Sequence, residues 1–534
     1  MPRTGRSLPT IAVPLGLASS VVAASLLLNR SVFEGLPHTE DEVAYLFQAA
    51  TIARGHLVAS APPVPDAFAI PFVIVRDGLW FGKYPPGYPL VLALGILVGY
   101  PALVNALAAG ASILLVFTLA SRIYGFATGA LAATLLAVSP FFLLQSASFM
   151  AHPVCLLSTL VVTLSFAVTL HRPTLSYALA GALALAMLVL ARPLSALGVA
   201  APFVVWSLWR LWRYSAWRPV GLLYASGGML GCAALLAYNL LTTGDPLVFG
   251  YELWWPFDKV GFGTGISPDG THTVAEGLLN TRYNLRLLEQ VLYGWPGRLD
   301  LLPALLAVTA AVGRLLLWPL LRDVRRPELP TDLAWDLALA AQATTLVAVH
   351  IAYWTAGQMY GPRYYFEALG AVAVLTARGS LAAAAALRWL WDVATARAAP
   401  PQAVPTTAVL VLLALCFWGL FVTALPWWQS FRGWYGIRAD PARQVAARAP
   451  ANSVVLLPIS SWTEYAPYFV RNSPFLDSSV LFAHDLGPRN GELLAAFPER
   501  TVVRYVGGVF VPLRLVDPES TPRSAGSLGE AGVG

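Results

Sequence analysis

Three consecutive acids, Glu40, Asp41 and Glu42, form the densest run of carboxylates in the chain. They open a stretch, ending near Gly55, that is predicted to be a short helix capped by Thr39. Acids at a helix N-terminus interact favourably with the helix dipole, which is a purely structural explanation. The functional explanation is that one carboxylate faces a cavity and acts as a general base on a hydroxyl group.

A basic turn closes the same polar stretch. Lys83 is followed by Tyr84 and two prolines in the sequence FGKYPPGYP. The prolines lack backbone donors and favour an extended approach to the next helix, so the ammonium would be held near the membrane surface. A lysine at this position either extends to lipid phosphate or neutralises the phosphate of a lipid-linked substrate.

Other charged residues lie where apolar segments begin or end. Arg363 stands among tyrosines that include Tyr360 and Tyr364. Its guanidinium suits phosphate, and the tyrosines suit stacking on sugar; an Arg–Glu pair in an interfacial tyrosine belt is the alternative. Arg192 is either a functional intramembrane charge or a helix-end residue reaching for the interface. His152 would line the same cavity or be structural.

The composition indicates the kind of protein that must position these residues. The chain has 534 residues, of which 57% are hydrophobic and 12% charged, whereas about 25% are charged in soluble proteins. The net charge of +6 lies largely in short loops, so it does not indicate nucleic-acid binding. All three cysteines fall within apolar runs, and neither a disulfide framework nor a zinc site is expected.

The apolar runs predict about eleven membrane spans, the first of them a retained signal anchor. The predicted fold class is an all-α polytopic membrane protein with a small C-terminal α/β domain. A short apolar segment, residues 89–98, is expected to be partly embedded. The spans are predicted at residues 9–28, 102–121, 126–144, 154–170, 175–191, 194–212, 220–241, 299–321, 333–354, 366–387 and 406–426.

Arginines in alternate short loops, among them Arg122, Arg210 and Arg388, predict an N-terminus in the cytoplasm. Two polar loops, about 30–100 and 242–298, and the C-terminal region then lie outside. The predicted domains are a transmembrane domain at 1–426, a small extracytoplasmic α/β domain at 427–516 and a disordered tail at 517–534.

The pair Asp41-Glu42, followed by Ala44-Tyr45 and then by the Lys-Tyr-Pro-Pro turn, resembles the GT-C superfamily of membrane glycosyltransferases. It is most similar to the protein O-mannosyltransferase and lipid A aminoarabinose transferase branch, over roughly residues 10–425. The resemblance implies a polyprenyl-phosphate sugar donor whose sugar enters an outward-facing cavity. The branch has Lys-Pro-Pro at this turn, so the inserted Tyr84 leaves its own role open.

The resemblance also implies roles for these residues. Asp41 would take the proton of the acceptor, and Glu42 would orient the sugar or acceptor or share the base role. Attack with inversion would expel polyprenyl phosphate, whose charge Lys83 would stabilise. Arg363 and Arg192 are the further candidates for phosphate binding, and the sugar or acceptor cavity would be lined by Tyr84, His152, Tyr360 and Tyr364.

The predicted function is therefore glycosyl transfer at the outer face of a bacterial inner membrane. Its partners would be the lipid-linked donor, membrane lipids and an acceptor glycan, lipid or protein, with no nucleic acid. No cofactor is assigned; a divalent cation is possible, although no acidic or histidine cluster has convincing ligand spacing. A transporter or flippase of lipid-linked glycans is the alternative suggested by the intramembrane arginines, and a non-catalytic scaffold is a third hypothesis.

Overall fold

The computed structural model describes residues 8–321, 329–395 and 403–513. Within these ranges nine helical segments are long and apolar enough to cross a membrane, so the chain is an integral membrane protein as predicted. Its helices are α1 (Leu8–Ser31), α2 (Glu40–Ala53), α3 (Gly87–Leu97), α4 (Ala102–Tyr124), α5 (Phe126–Ala137), α6 (Pro140–Ala147), α7 (His152–His171), α8 (Leu175–Ala191), α9 (Pro193–Arg213), α10 (Arg218–Thr243), α11 (Gly250–Trp254), α12 (Val274–Val291), α13 (Leu302–Leu321), α14 (Thr331–His350), α15 (Leu369–Thr395), α16 (Ala403–Trp418), α17 (Leu425–Gln429), α18 (Ala439–Arg448), α19 (Trp462–Phe469) and α20 (Asn490–Ala496).

Two of the predicted spans depart from a simple long helix. The third is broken into α5 and α6, which are bent by 58°. Ser139 caps α6 by accepting a hydrogen bond from the backbone N–H of Phe142, and Pro140 has no N–H to continue the preceding helix. Another predicted span is α8, which has only 17 residues. With these two, the nine long segments account for the predicted spans.

Close packing of α8 against α10 fixes the chain just before Arg192. A side chain on Gly227 of α10 would place its Cβ 2.3 Å from the carbonyl oxygen of Ala182 on α8. A Cβ on Gly231 would stand 2.9 Å from the carbonyl oxygen of Ala186. Small residues at such interfaces allow transmembrane helices to approach each other, and here they set the position at which α8 ends.

The first polar segment is ordered by α2 and by a small antiparallel sheet. The strands β1 (Ala59–Ser60), β2 (Val73–Arg76) and β3 (Leu79–Gly82) pair in the order β1-β3-β2. Lys83 follows β3 directly, and α3 begins at Gly87. In the second polar segment, α11 precedes a two-stranded ribbon of β4 (Gly263–Thr264) and β5 (Thr271–His272), and α12 follows it.

The chain divides into two compact units, and the second combines residues 61–70 with the region from residue 439 onward. Its sheet has the order β7-β6-β8-β9, formed by β6 (Ser453–Leu457), β7 (Val480–His484), β8 (Thr501–Val506) and β9 (Val509–Pro512). The first three strands run parallel and β9 is antiparallel to β8. The predicted C-terminal α/β fold is thus present. The tail predicted at 517–534 lies outside the described residues.

Candidate active site

Glu42 is a buried residue that holds neighbouring segments of the site together through hydrogen bonds. Its buried carboxylate accepts hydrogen bonds from the backbone N–H groups of His38 (2.7 Å), Thr39 (3.1 Å) and Phe149 (2.8 Å) and from the hydroxyl of Tyr360 (2.9 Å). The bond to Thr39 is half of a capping box that begins α2. Burial raises the pKa of Glu42 to about 7, even though the hydrogen bonds act to lower it. Glu42 therefore ties the start of α2 to two distant segments.

Asp41 faces the basic residues. Its Oδ1 accepts a hydrogen bond of 2.7 Å from the Tyr84 hydroxyl and lies 3.0 Å from Nη1 of Arg363. Burial acts to raise the pKa of Asp41, but the charges of Arg363 and Lys83 outweigh it, and the pKa is lowered. Asp41 therefore stays ionised at neutral pH. Its Oδ2 accepts no hydrogen bond within the described chain.

Glu40, the first acid of the triplet, differs from its two neighbours. It is partly exposed, and its carboxylate interacts with its own backbone N–H and, at longer range, with the charges of Asp41, Arg363 and Lys83. Burial acts to raise its pKa. Among the three acids, therefore, only Asp41 is in direct contact with the basic residues.

Lys83 is enclosed. Its Nζ lies 3.4 Å from the ring centre of Phe72, 4.5 Å from that of Trp255 and 3.6 Å from Oδ2 of Asp258. The side chains of Lys83 and Asp258 are only 4% and 2% exposed. Burial lowers the pKa of Lys83 to about 8, while Asp258 and Asp41 act to raise it. We call Lys83, Phe72, Trp255 and Asp258 the lysine cage.

Asp258 connects the lysine cage to the loop after α14. Its Oδ1 accepts hydrogen bonds from the Tyr353 hydroxyl (2.7 Å) and from Nε1 of Trp354 (2.9 Å). A single β-bridge between Val260 and Tyr353 joins the same two segments. Sequence reasoning did not single out Asp258, because the second polar segment holds several acids and none has a distinctive spacing.

Arg363 is placed by an unusual turn. Tyr360 and Gly361 have φ angles of 55° and 109°, and a Cβ on Gly361 would stand 2.5 Å from the Phe141 ring. Arg363 is 8% exposed, and its Nε and Nη1 make no hydrogen bond. The contact of Nη1 with Asp41 is thus an ion pair without hydrogen-bond alignment. The guanidinium keeps donors for an oxyanion.

A second buried cluster centres on Glu367, the acid of the Arg–Glu pair that the sequence offers as the structural explanation for Arg363. Oε1 of Glu367 lies 3.1 Å from Nδ1 of His152 and 3.4 Å from Nε of Arg192. Oε2 of Glu367 and Nε2 of His152 have no hydrogen-bond partner. The Arg192 guanidinium also lies 5.4 Å from the ring centre of Tyr364. Arg363 therefore pairs with Asp41, and Arg192 pairs with Glu367.

The residues singled out from sequence lie in one compact unit, and contacts link them into one set. Tyr364 lies between the two clusters, because its ring is also 5.3 Å from the Arg363 guanidinium. Within the described residues, no group of three His, Cys, Asp or Glu side chains could hold a metal ion. The set consists of Asp41, Glu42, Lys83, Tyr84, His152, Arg192, Tyr360, Arg363 and Tyr364.

Comparison by sequence gives little. A family model described as a domain of unknown function, DUF7846, matches residues 453–512, within the second compact unit. No curated protein sequence matches the chain.

Comparison by structure is more informative. ArnT from Cupriavidus metallidurans bound to undecaprenyl phosphate has a TM-score of 0.51 and 15% sequence identity, over 92% of this chain and 89% of that one. Its apo state has a TM-score of 0.50 and 15% identity, with 92% and 88% covered. The Archaeoglobus fulgidus oligosaccharyltransferase in complex with zinc and sulfate has a TM-score of 0.50 and 16% identity, with 92% of this chain and 62% of that one covered. The described chain thus shares the fold of ArnT and of this oligosaccharyltransferase.

Proposed function

We propose that the protein is a glycosyltransferase that moves a sugar from a polyprenyl-phosphate donor to an acceptor hydroxyl. The observation that carries the proposal is the convergence of Asp41, Arg363 and Lys83 in one buried site of a GT-C fold. ArnT, which shares this fold, was crystallised with undecaprenyl phosphate. A carboxylate beside two cations can take the proton of the acceptor and stabilise the charge of a phosphate leaving group.

Asp41 is the proposed general base. The Tyr84 hydroxyl and Arg363 fix one carboxylate oxygen, which leaves Oδ2 to accept the proton of the acceptor. A carboxylate with a lowered pKa is a weak base. It suits a transition state in which the bond from the anomeric carbon to phosphate is largely broken and the attacking hydroxyl has become acidic. The acceptor oxygen then bonds to that carbon with inversion, and polyprenyl phosphate leaves.

Lys83 and Arg363 are the proposed phosphate ligands. Both are buried, and Nε and Nη1 of Arg363 have unused donors. Fixed charges in a site of low dielectric stabilise a developing oxyanion more than they would in water. Arg192 adds a third positive charge nearby, held in place by Glu367.

Glu42 is a proposed positioning residue, because protein donors occupy both of its oxygens. It holds the N-terminus of α2, and hence the neighbouring Asp41, in a fixed orientation. Tyr84, Tyr360, Tyr364 and His152 are proposed to line the sugar or acceptor cavity.

The proposed location is the bacterial inner membrane, with the N-terminus in the cytoplasm and the second compact unit on the extracytoplasmic side. The support is the arginine content of alternate short loops. The acceptor is a glycan, a lipid or a protein on that side. The transporter alternative rested on the intramembrane arginines, and contacts place Arg192 and Arg363 in one set with Asp41 and Lys83, which the transferase proposal uses.

The test is turnover by purified protein in nanodiscs with a panel of polyprenyl-phosphate sugars, read as release of polyprenyl phosphate. We expect one donor to be consumed by the wild type and spared by Asp41→Asn. Glu40→Gln is the matched control, since it removes an adjacent acid that is partly exposed, and it should retain most of the turnover. If no donor binds or turns over, glycan movement in liposomes would test the transporter alternative.

A further inference from the structure

Lys83, the proposed ligand of the donor phosphate, already has an anionic partner. Oδ2 of Asp258 lies 3.6 Å from its Nζ, and both side chains are almost completely buried. The rings of Phe72 and Trp255 cover the ammonium on other sides. The lysine cage is therefore closed in the structure described, and a phosphate has to replace one of its members to reach Nζ.

Charge balance identifies the member that is replaced. Lys83 and Arg363 supply two positive charges, and Asp41 and Asp258 supply two negative ones. An added phosphate would leave this buried group with excess negative charge, which is costly where water is excluded. Asp41 has to stay in place because it is the proposed base. Only the departure of Asp258 restores the balance without disturbing the reaction.

We propose that Asp258 occupies the phosphate position at Lys83 in the empty protein, and that the donor phosphate displaces it. Asp258 is then a positioning residue, and the segment that carries it, residues 250–261, is a gate over the phosphate site. This inference rests on the proposed function, because it takes Lys83 as the ligand of a lipid-linked phosphate.

The gate segment packs on the lysine through its backbone and through aromatic rings. A Cβ on Gly250 would stand 2.5 Å from the carbonyl oxygen of Lys83, so α11 lies directly on the backbone of this lysine. Trp254 and Trp255 contact the Phe72 ring edge-on at 5.7 and 5.2 Å between ring centres. These are contacts between rings, which can separate and re-form without leaving a charge unpaired.

Displacement of Asp258 would also reach the loop that carries Arg363. Tyr353 and Trp354 donate to Asp258, and the same loop leads through Tyr360 to Arg363. Entry of the phosphate at Lys83 is thereby coupled to the position of the second proposed phosphate ligand. The gate would close again behind the departing polyprenyl phosphate.

The experiment measures binding of undecaprenyl phosphate to the purified full-length protein in nanodiscs. Asp258→Asn keeps a carbonyl oxygen that accepts from Tyr353 and Trp354 but removes the competing charge. We expect its Kd to be about tenfold lower than that of the wild type, and turnover to become slower because the product leaves slowly. Asp269→Asn is the matched control, the same change at an exposed residue of the same polar segment, and its Kd should equal that of the wild type.

A double-mutant cycle separates the gate from the proposed function. Lys83→Ala should weaken binding, and Asp258→Asn should have no further effect in that background, because the two residues act through one contact. If Asp258→Asn weakens binding or leaves it unchanged while Lys83→Ala weakens it, the gate is wrong and the phosphate site stands. If Lys83→Ala binds as well as the wild type, the phosphate role of Lys83 fails, and the gate fails with it.

Thermal unfolding of each variant identifies any loss that is due to misfolding. Asp258→Glu provides a second variant, since it restores the negative charge. It should return the affinity toward the wild-type value, whereas a purely structural role for Asp258 would make the longer side chain at least as harmful as the amide.

Discussion

Replacing Asp41 by Asn separates the proposed chemistry from binding. The amide can still accept the hydrogen bond from Tyr84, so the local shape is kept, but it has neither a negative charge nor a basic oxygen. Loss of a general base lowers turnover by about 10²–10⁴-fold. Donor affinity should not fall, because Arg363 loses its ion-pair partner at 3.0 Å and becomes free to bind phosphate.

The same variant has a predictable effect on stability. Removing one partner of a buried ion pair costs about 3–5 kcal/mol, because the other charge is left uncompensated. The empty Asp41→Asn protein should therefore unfold at a lower temperature than the wild type. Addition of undecaprenyl phosphate should recover part of that loss, since the phosphate supplies the missing negative charge.

The assays are release of polyprenyl phosphate, Kd for undecaprenyl phosphate and thermal unfolding, each with Glu40→Gln measured in parallel. Turnover of Asp41→Asn within tenfold of the wild type would reject Asp41 as the base. A Kd that rises in step with the loss of rate would show instead that Asp41 binds the donor, and the assignment of Arg363 to phosphate would have to be revised.

Three further predictions follow from the same contacts. Since burial lowers the pKa of Lys83 to about 8, kcat/KM should fall as pH rises through about 8, and Lys83→Arg should extend activity to higher pH. If kcat/KM of that variant falls at the same pH as in the wild type, the titration belongs to another group. Burial raises the pKa of Glu42 from 4.5 to about 7, so the protonated form of Glu42 favours the folded state. The contribution of Glu42 to stability should therefore decrease as the pH rises from 4.5 to about 7, and Glu42→Gln should abolish this part of the pH dependence of thermal unfolding. Gly361→Ala should reduce donor affinity by displacing Arg363, because Gly361 has a φ of 109° and a Cβ at this position would stand 2.5 Å from the Phe141 ring. A variant that binds the donor as well as the wild type would show that the turn does not position Arg363.

Much of the architecture could be predicted because a membrane span can be recognised from the length and apolarity of a single stretch of sequence. A run of about 20 apolar residues has few alternatives to a spanning helix, and the positions of α4, α7 and α9 follow directly. The break between α5 and α6 could also have been found, since Ser139-Pro140 is a helix-start signal within an apolar run. The hydropathy average conceals it, because both halves are apolar.

The site could be predicted only in part. Asp41 and Lys83 stand out by their residue types and by the prolines that follow the lysine. Their partners do not, since Asp258 and Glu367 come from segments that meet them only after the helices pack. The different contacts of Asp41 and Glu42 could not be predicted either. Both residues lie in the first turn of α2, where Glu42 accepts four hydrogen bonds from the protein and Asp41 faces Arg363, and no sequence pattern distinguishes the two directions.

The second compact unit combines a segment from early in the chain with a much later one. Phe68 is fully buried there, with its ring 6.0 Å from that of Phe497. Asp66 lies 2.8 Å from Arg489, and the Ala69 carbonyl lies 2.9 Å from Nε2 of His484. During synthesis, residues 61–70 leave the ribosome long before the strands against which they pack. Completion of this unit is therefore among the last events of folding, and a chain truncated before β6 would display Phe68 as an uncovered apolar residue to the quality-control machinery of the cell.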